Sequence, residues 1–147
     1  MSLQSWAAWY ARQGLEIFPV HVAVSGSCSC GVLGCNSPGK HPATKHGVKD
    51  ATSDMVQIVK WWVENPNYNI CLQCNQFTVL DVDGETGKES LRKFVKQNKG
   101  LTSFLNGPRA KTGGGGYHFF FKASGLGNKV GIAPGLDLRG AGGYVIA

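Results

Sequence analysis

The 147-residue chain has no apolar run long enough to cross a bilayer, which excludes a membrane-spanning helix. Its first residues, MSLQSWAAWYARQG, lack the basic-then-apolar order of a secretory signal. There is no internal repeat and no low-complexity linker, which argues against a repeat array or a string of tethered modules. Acidic residues are few: 9 Asp and Glu stand against 15 Lys and Arg, for a net charge of +6. What is present is an ordinary globular composition, 42 % hydrophobic, sufficient for one domain with its own core. The expectation is a single cytoplasmic domain over residues 1–147 with no membrane partner. The basic excess favours polyanionic partners such as nucleic acid or nucleoside triphosphates.

The pattern along the chain is mixed. Leu3, Trp6, Ala7 and Tyr10 fall at helical spacing, and Gly14 closes that segment. LEIFPVHVAV reads as a strand despite Pro19. Residues 25–47 read as a long inserted loop rich in Cys, Gly and Pro. A second helix is expected from Asp54 to Glu64, capped by Thr52 or Ser53, with Ile58, Trp61, Trp62 and Val63 on its apolar face. NICLQC and FTVLDVD read as two strands joined by a tight turn at Asn75–Gln76. A third helix turns Leu91, Phe94 and Val95 inward, and RAKT, YHFFFK, GLDLRG and GYVIA follow as short strands between glycine-rich turns. This order predicts an α+β fold, a largely antiparallel sheet with helices on one face.

FTVLDVD carries the sharpest chemical signal. Side chains alternate along a strand, so Asp81 and Asp83 share one face while Thr78, Leu80 and Val82 take the other. Two neighbouring carboxylates repel unless a cation lies between them, and Mg²⁺ or Mn²⁺ suits an all-oxygen set. A strand end whose aspartates face solvent or cap the next helix is the plainer alternative. By the same alternation His118 shares a face with Phe120, opposite Tyr117, Phe119 and Phe121, and Asp137 lies opposite Leu136 and Leu138. Were these strands in one sheet, Asp81, Asp83, His118 and Asp137 could gather on its uncovered face. Taken singly, His118 reads as a structural histidine and Asp137 as a loop residue.

KTGGGGYH, residues 111–118, precedes the histidine strand. Gly113, Gly114, Gly115 and Gly116 permit backbone amides to approach an anion, with Lys111 and Arg109 adding charge. No Gly-Lys-Ser/Thr follows, so this is not a Walker A loop. A flexible hairpin turn is the alternative.

Of the five cysteines, three crowd into CSCGVLGCNSPGKH. Cys28, Cys30, Cys35 and His41 match the ligand types of a structural tetrahedral zinc site, with His46 a spare fourth ligand. A surface loop with unliganded thiols is the alternative. Cys71 and Cys74, on opposite faces of an expected strand, read as core or edge residues, and the tryptophans as core.

These residues together resemble the bifunctional DNA primase/polymerase (prim-pol) N-terminal domain of phage, plasmid and prophage replication proteins, within the archaeo-eukaryotic primase superfamily. The resemblance begins at Ala7, Tyr10, Gly14, Phe18, Pro19 and Val20. It runs through Pro38-Gly39-Lys40-His41-Pro42, Asp50-Ala51-Thr52, Trp61-Trp62 and Asn69-Ile70 to Asp81-Val82-Asp83, Gly115-Gly116-Tyr117-His118 and Leu136-Asp137. It closes on Arg139-Gly140 and Gly142-Gly143-Tyr144-Val145. Cys71 stands where glycine is common in the family. Such domains usually continue past Tyr-Val-Ile-Ala, so the chain is expected to be C-terminally truncated.

The resemblance implies an RRM-like catalytic sheet joined to an N-terminal α/β unit. It implies that Asp81, Asp83 and Asp137 hold two divalent metals, Mg²⁺ or Mn²⁺, and that His118 contacts the phosphates of an incoming nucleotide. Lys111, Gly113, Gly114, Gly115, Gly116, His118 and Arg139 form the expected nucleotide-binding set. The implied activity is template-dependent nucleotidyl transfer to a 3′-hydroxyl, with single-stranded DNA and nucleoside triphosphates as partners and a helicase as a further one. Competing readings are a non-catalytic nucleic-acid-binding module built on the zinc loop and, less favoured, a metal-dependent nuclease.

Overall fold

A computed structural model describes residues 1–100 and 102–147. In chain order the elements are α1 (Leu3–Arg12), β1 (Ile17–Val20), β2 (Ala23–Val24), β3 (Ser27–Cys28), α2 (Met55–Glu64), β4 (Asn69–Gln73) and β5 (Phe77–Val82). They continue with α3 (Gly84–Gln97), β6 (Arg109–Lys111), β7 (Tyr117–Lys122), β8 (Lys129–Ala133), β9 (Leu136–Arg139) and β10 (Tyr144–Ile146). Short 3₁₀ segments cover Gly47–Asp50 and Lys99–Asn106. The fold is mixed α/β with antiparallel sheets, and it divides into two compact units: Met1–Gln73 with Tyr144–Ala147, and Cys74–Gly143.

The first unit is built on a sheet of order β1-β4-β10. All four residues of β1 are buried. Phe18 and Val20 pack with Cys71 against Trp61, Tyr144 and Ile146. Pro19 is tolerated because β1 is an edge strand, where a missing N–H breaks no ladder. The expected strand LEIFPVHVAV therefore ends at Val20, and Ala23–Val24 pairs instead with Ser27–Cys28 in a separate hairpin. Helix α1 turns Ala7, Ala8 and Ala11 inward, leaving Trp6 and Trp9 partly exposed and in edge contact. Small side chains permit close helix packing, so the bulky pair is displaced to the flank. Trp62, by contrast, is fully buried and donates its indole N–H to the Tyr68 carbonyl at 3.0 Å. The cap of α2 is Asp54, which accepts from the Val56 amide, while Thr52 accepts from the Asp54 amide one step earlier. Val63 is exposed, so Ile58 and Trp62 make the inward face.

The second unit is a five-stranded antiparallel sheet of order β6-β7-β5-β9-β8. One face carries Leu80, Val82, Tyr117, Phe119, Phe121 and Leu136 against Leu91 and Val95 of α3 and against Phe104 and Leu105. Phe94 lies on the exposed flank of α3. The turn expected between NICLQC and FTVLDVD is present, but β4 and β5 do not pair. They enter different sheets, because β5 finds β7 and β9 as neighbours and β4 finds β1 and β10. Strand β8 carries no distinctive sequence signal, because Val130 and Ile132 are exposed and the strand shows no burial alternation.

Candidate metal centre and nucleotide site

Strand β5 is the axis of the acidic site. Asp81 lies directly opposite His118 on β7 and directly opposite Asp137 on β9. Directly paired residues of an antiparallel ladder project to the same face, so register alone brings the three side chains together. Asp83 lies just beyond β5, at the N-cap of α3, with extended backbone (φ −89°, ψ 119°). Aspartate in this position usually caps its helix, but the Asp83 side chain makes no capping bond. Its carboxylate belongs instead to a cluster: one oxygen each of Asp81, Asp83 and Asp137 lies within 4.8 Å of the others.

Close backbone packing places Asp83. The Asp83 amide donates to the Gly135 carbonyl at 2.8 Å, and Ser90 on α3 donates to the Pro134 carbonyl at 2.7 Å. A Cβ on Gly135 would meet the Gly87 nitrogen at 2.6 Å, so the start of α3 can sit against the β8–β9 turn only with glycine there. The same end of α3 offers the positive pole of its dipole to the carboxylates.

The carboxylates are unequally satisfied. Asp137 accepts from the Gly131 amide at 2.7 Å through Oδ1 and from Arg139 at 2.7 Å through Oδ2. Arg139 also stands 3.5 Å from Asp81 Oδ2. Asp81 Oδ1 is buried without a hydrogen-bond partner, with His118 Nε2 at 3.4 Å. Burial pushes the Asp81 carboxyl up, but His118 and then Arg139 outweigh it and hold it below the ordinary carboxylate value. An orphaned buried carboxylate oxygen beside two further carboxylates fits a divalent cation with all-oxygen ligands. Of the three carboxylates Asp81 is the most buried, 9 % exposed, and Asp83 is open to solvent.

The glycine run is a tight β6–β7 turn, and its members differ. Thr112 and Gly116 close it through the Thr112 amide and the Gly116 carbonyl at 3.0 Å. The Gly115 amide donates to the Thr112 carbonyl and the Gly116 amide to the Thr112 hydroxyl, both at 3.0 Å. A Cβ on Gly116 would overlap the Val82 carbonyl, so this glycine lets β7 lie against β5. Positions 113 and 114 open onto free space, and Lys111 on the adjacent edge strand is exposed.

A second cluster lies within the other unit. The Sγ atoms of Cys28, Cys30 and Cys35 and a ring nitrogen of His41 all lie within 4.8 Å of one another, with Cys28 Sγ to His41 Nε2 at 3.3 Å. The β2–β3 hairpin delivers Cys28, and the His21 amide, donating to the His41 carbonyl at 3.0 Å, anchors the return of the loop. Gly39 has positive φ (71°), and a Cβ there would meet the Ala23 nitrogen at 2.8 Å, so the loop can close over the hairpin only with glycine. Burial opposes ionisation of Cys28, yet hydrogen bonds from the Cys30 and Gly39 amides and from the Cys30 and His41 side chains bring its thiol down to about 6. Three soft thiolate donors and one imidazole fit zinc. The spare candidate His46 is excluded from this cluster: its Nδ1 faces Asp50 Oδ1 at 3.0 Å. Cys71 and Cys74 are both buried, as expected, and burial pushes the Cys74 thiol up to about 12 against the opposing pull of Arg139.

With both sites in view, a family model described as the N-terminal domain of bifunctional DNA primase/polymerases matches residues 7–147. The chain belongs to this family. Comparison with curated proteins gives no match. In this prim-pol domain the four residues expected to form the acidic site, Asp81, Asp83, His118 and Asp137, lie together, and Arg139 joins them as the partner of two carboxylates. Sequence reasoning missed the Gly131 amide that orients Asp137. It comes from a register irregularity in β8, for which an isolated Val-Gly-Ile carries no distinctive signal. Among the described residues no helix is long and apolar enough to cross a membrane.

Proposed function

We propose that this domain carries out template-dependent nucleotidyl transfer: a 3′-hydroxyl attacks the α-phosphate of a nucleoside triphosphate and pyrophosphate leaves. The observation that carries this reading is the carboxylate cluster of Asp81, Asp83 and Asp137 around an orphaned Asp81 oxygen, in a domain of the primase/polymerase family. The three carboxylates would hold two Mg²⁺ or Mn²⁺ ions. Bound there, the metals would lower the pKa of the attacking hydroxyl and stabilise the leaving pyrophosphate. His118, paired opposite Asp81, lies on the face where the phosphates would be received and would donate a ring N–H to them. The open amides at positions 113 and 114, with Lys111 beside them, would take the outer phosphates. Gly115 and Gly116 would contribute by shaping the turn, since their amides are already engaged by Thr112. Catalysis of this kind is positioning and charge neutralisation by groups fixed on rigid strands.

Cys28, Cys30, Cys35 and His41 would hold one structural zinc ion. Single-stranded DNA would be the template, in replication of phage, plasmid or prophage DNA, with a helicase as a functional partner. The test is incorporation of labelled nucleotides on a single-stranded template with Mg²⁺ or Mn²⁺, comparing the wild-type chain with Asp81→Ala. Metal-dependent incorporation lost in the variant is the expected result. Incorporation that the substitution leaves unchanged would overturn the assignment, and DNA binding without incorporation would favour the non-catalytic module.

A further inference from the structure

We propose that Arg139 is the built-in counter-ion of the acidic centre, and that it must leave Asp137 and Asp81 before the two carboxylates can together hold a divalent metal. The proposal rests on the metal-site reading above and adds a competition to it. The four oxygens of this carboxylate pair are in different positions. Asp81 Oδ1 is buried without a hydrogen-bond partner. Asp137 Oδ1 is held by the Gly131 amide at 2.7 Å, a backbone group that cannot swing away. Asp137 Oδ2 is held by Arg139 at 2.7 Å, and Asp81 Oδ2 faces the same guanidinium nitrogen at 3.5 Å. A cation held by both carboxylates would therefore meet the guanidinium already in place. The side chain is long, flexible in its bond types and 26 % exposed. Displaced, the guanidinium stays on the face of the sheet that carries His118, where its planar fork suits a triphosphate. Metal loading and triphosphate capture are thus linked through one side chain.

The test is Mn²⁺ affinity at low ionic strength, read from the electron paramagnetic resonance signal of free Mn²⁺, with folding of each variant checked by circular dichroism. Arg139→Gln is expected to bind Mn²⁺ roughly five- to tenfold more tightly than wild type, as removal of one charge-assisted pair implies. Arg139→Lys, which keeps the charge but loses the fork, falls between them. Lys122→Gln, which removes a charge at the exposed far end of β7, leaves the affinity unchanged. In Mn²⁺-saturated protein, Arg139→Gln binds dATP more weakly. Equal Mn²⁺ affinity in wild type and Arg139→Gln, with binding still lost in Asp81→Asn, would overturn the competition and leave the metal site standing. Equal tightening by Lys122→Gln would reduce the effect to net charge and also overturn it. Mn²⁺ binding insensitive to Asp81→Asn would instead sink the metal-site reading, and the proposal with it.

Discussion

Asp81 and Asp137 face each other in register across the β5–β9 ladder, and the Arg139 guanidinium lies 3.5 Å from one carboxylate and 2.7 Å from the other. Like charges directly opposite in a sheet destabilise it, so this pairing persists only with a cation against it. In the protein alone that cation is Arg139; in the working domain a divalent metal would take the place.

The first expectation concerns that pair. If Asp81 holds metal as proposed, Asp81→Asn is expected to lower nucleotide incorporation by about 100-fold or more. It should cost little stability, because Arg139 keeps Asp137. Arg139→Ala is expected to lose about 1–3 kcal/mol in metal-free buffer by removing the guanidinium that faces both carboxylates. Urea unfolding with and without Mn²⁺ checks this: Mn²⁺ should restore part of the loss.

A second expectation separates packing from ligand binding in the glycine turn. Gly116→Ala forces a Cβ onto the Val82 carbonyl and is expected to destabilise the domain by about 1–3 kcal/mol. Gly114→Ala meets open space, so its unfolding midpoint should stay close to wild type while nucleotide affinity falls. Unfolding curves and dATP titrations on both variants distinguish the two roles. Equal stability of the pair would contradict the close approach of β7 to β5.

Metal content tests the cysteine loop. The protein purified under reducing conditions should carry one zinc per chain, lost in Cys28→Ser or Cys35→Ser and kept in His46→Ala. After chelation, Cys28 should be the fastest thiol to alkylate at neutral pH, because its value of about 6 leaves it largely thiolate. Cys74, raised to about 12 and buried, should stay unmodified until the protein unfolds. Mass mapping of the alkylated sites reads both.

The fourth expectation is a pH dependence at Asp50. The His46 amide, donating to Asp50 Oδ2 at 2.8 Å, is the largest influence, and the His46 ring at 3.0 Å follows. Both hold the carboxyl below its ordinary 3.8. A depressed folded-state value means that this contribution is complete above the ordinary value and fades as pH falls through the lower one. Titration of the Asp50 carboxyl by NMR should show a low midpoint, which His46→Ala raises only part of the way because the backbone donor remains. A full return to 3.8 would show that the amide contributes nothing.

Much of the candidate site was legible from local pattern. The pleat has period two, so FTVLDVD alone set Asp81 opposite Leu80 and Val82, and the core on α3 and β7 agrees; Asp83 was expected on the same strand face but lies past the strand, at the N-cap of α3. The ligand types of Cys28, Cys30, Cys35 and His41 were also legible, because three cysteines and a histidine fall within one short loop, and the structure brings the four together. Neighbour relations were not legible, since pairing partners are chosen by long-range burial rather than by local pattern. Tertiary structure alone set His118 and Asp137 on either side of Asp81, and sent β4 and β5 into separate sheets despite their shared turn. It set the spare histidine, His46, against Asp50 and outside the cysteine cluster, and it brought Arg139 onto the carboxylates. Sequence thus determined which groups face the site; the pairing of distant strands decided which of them touch.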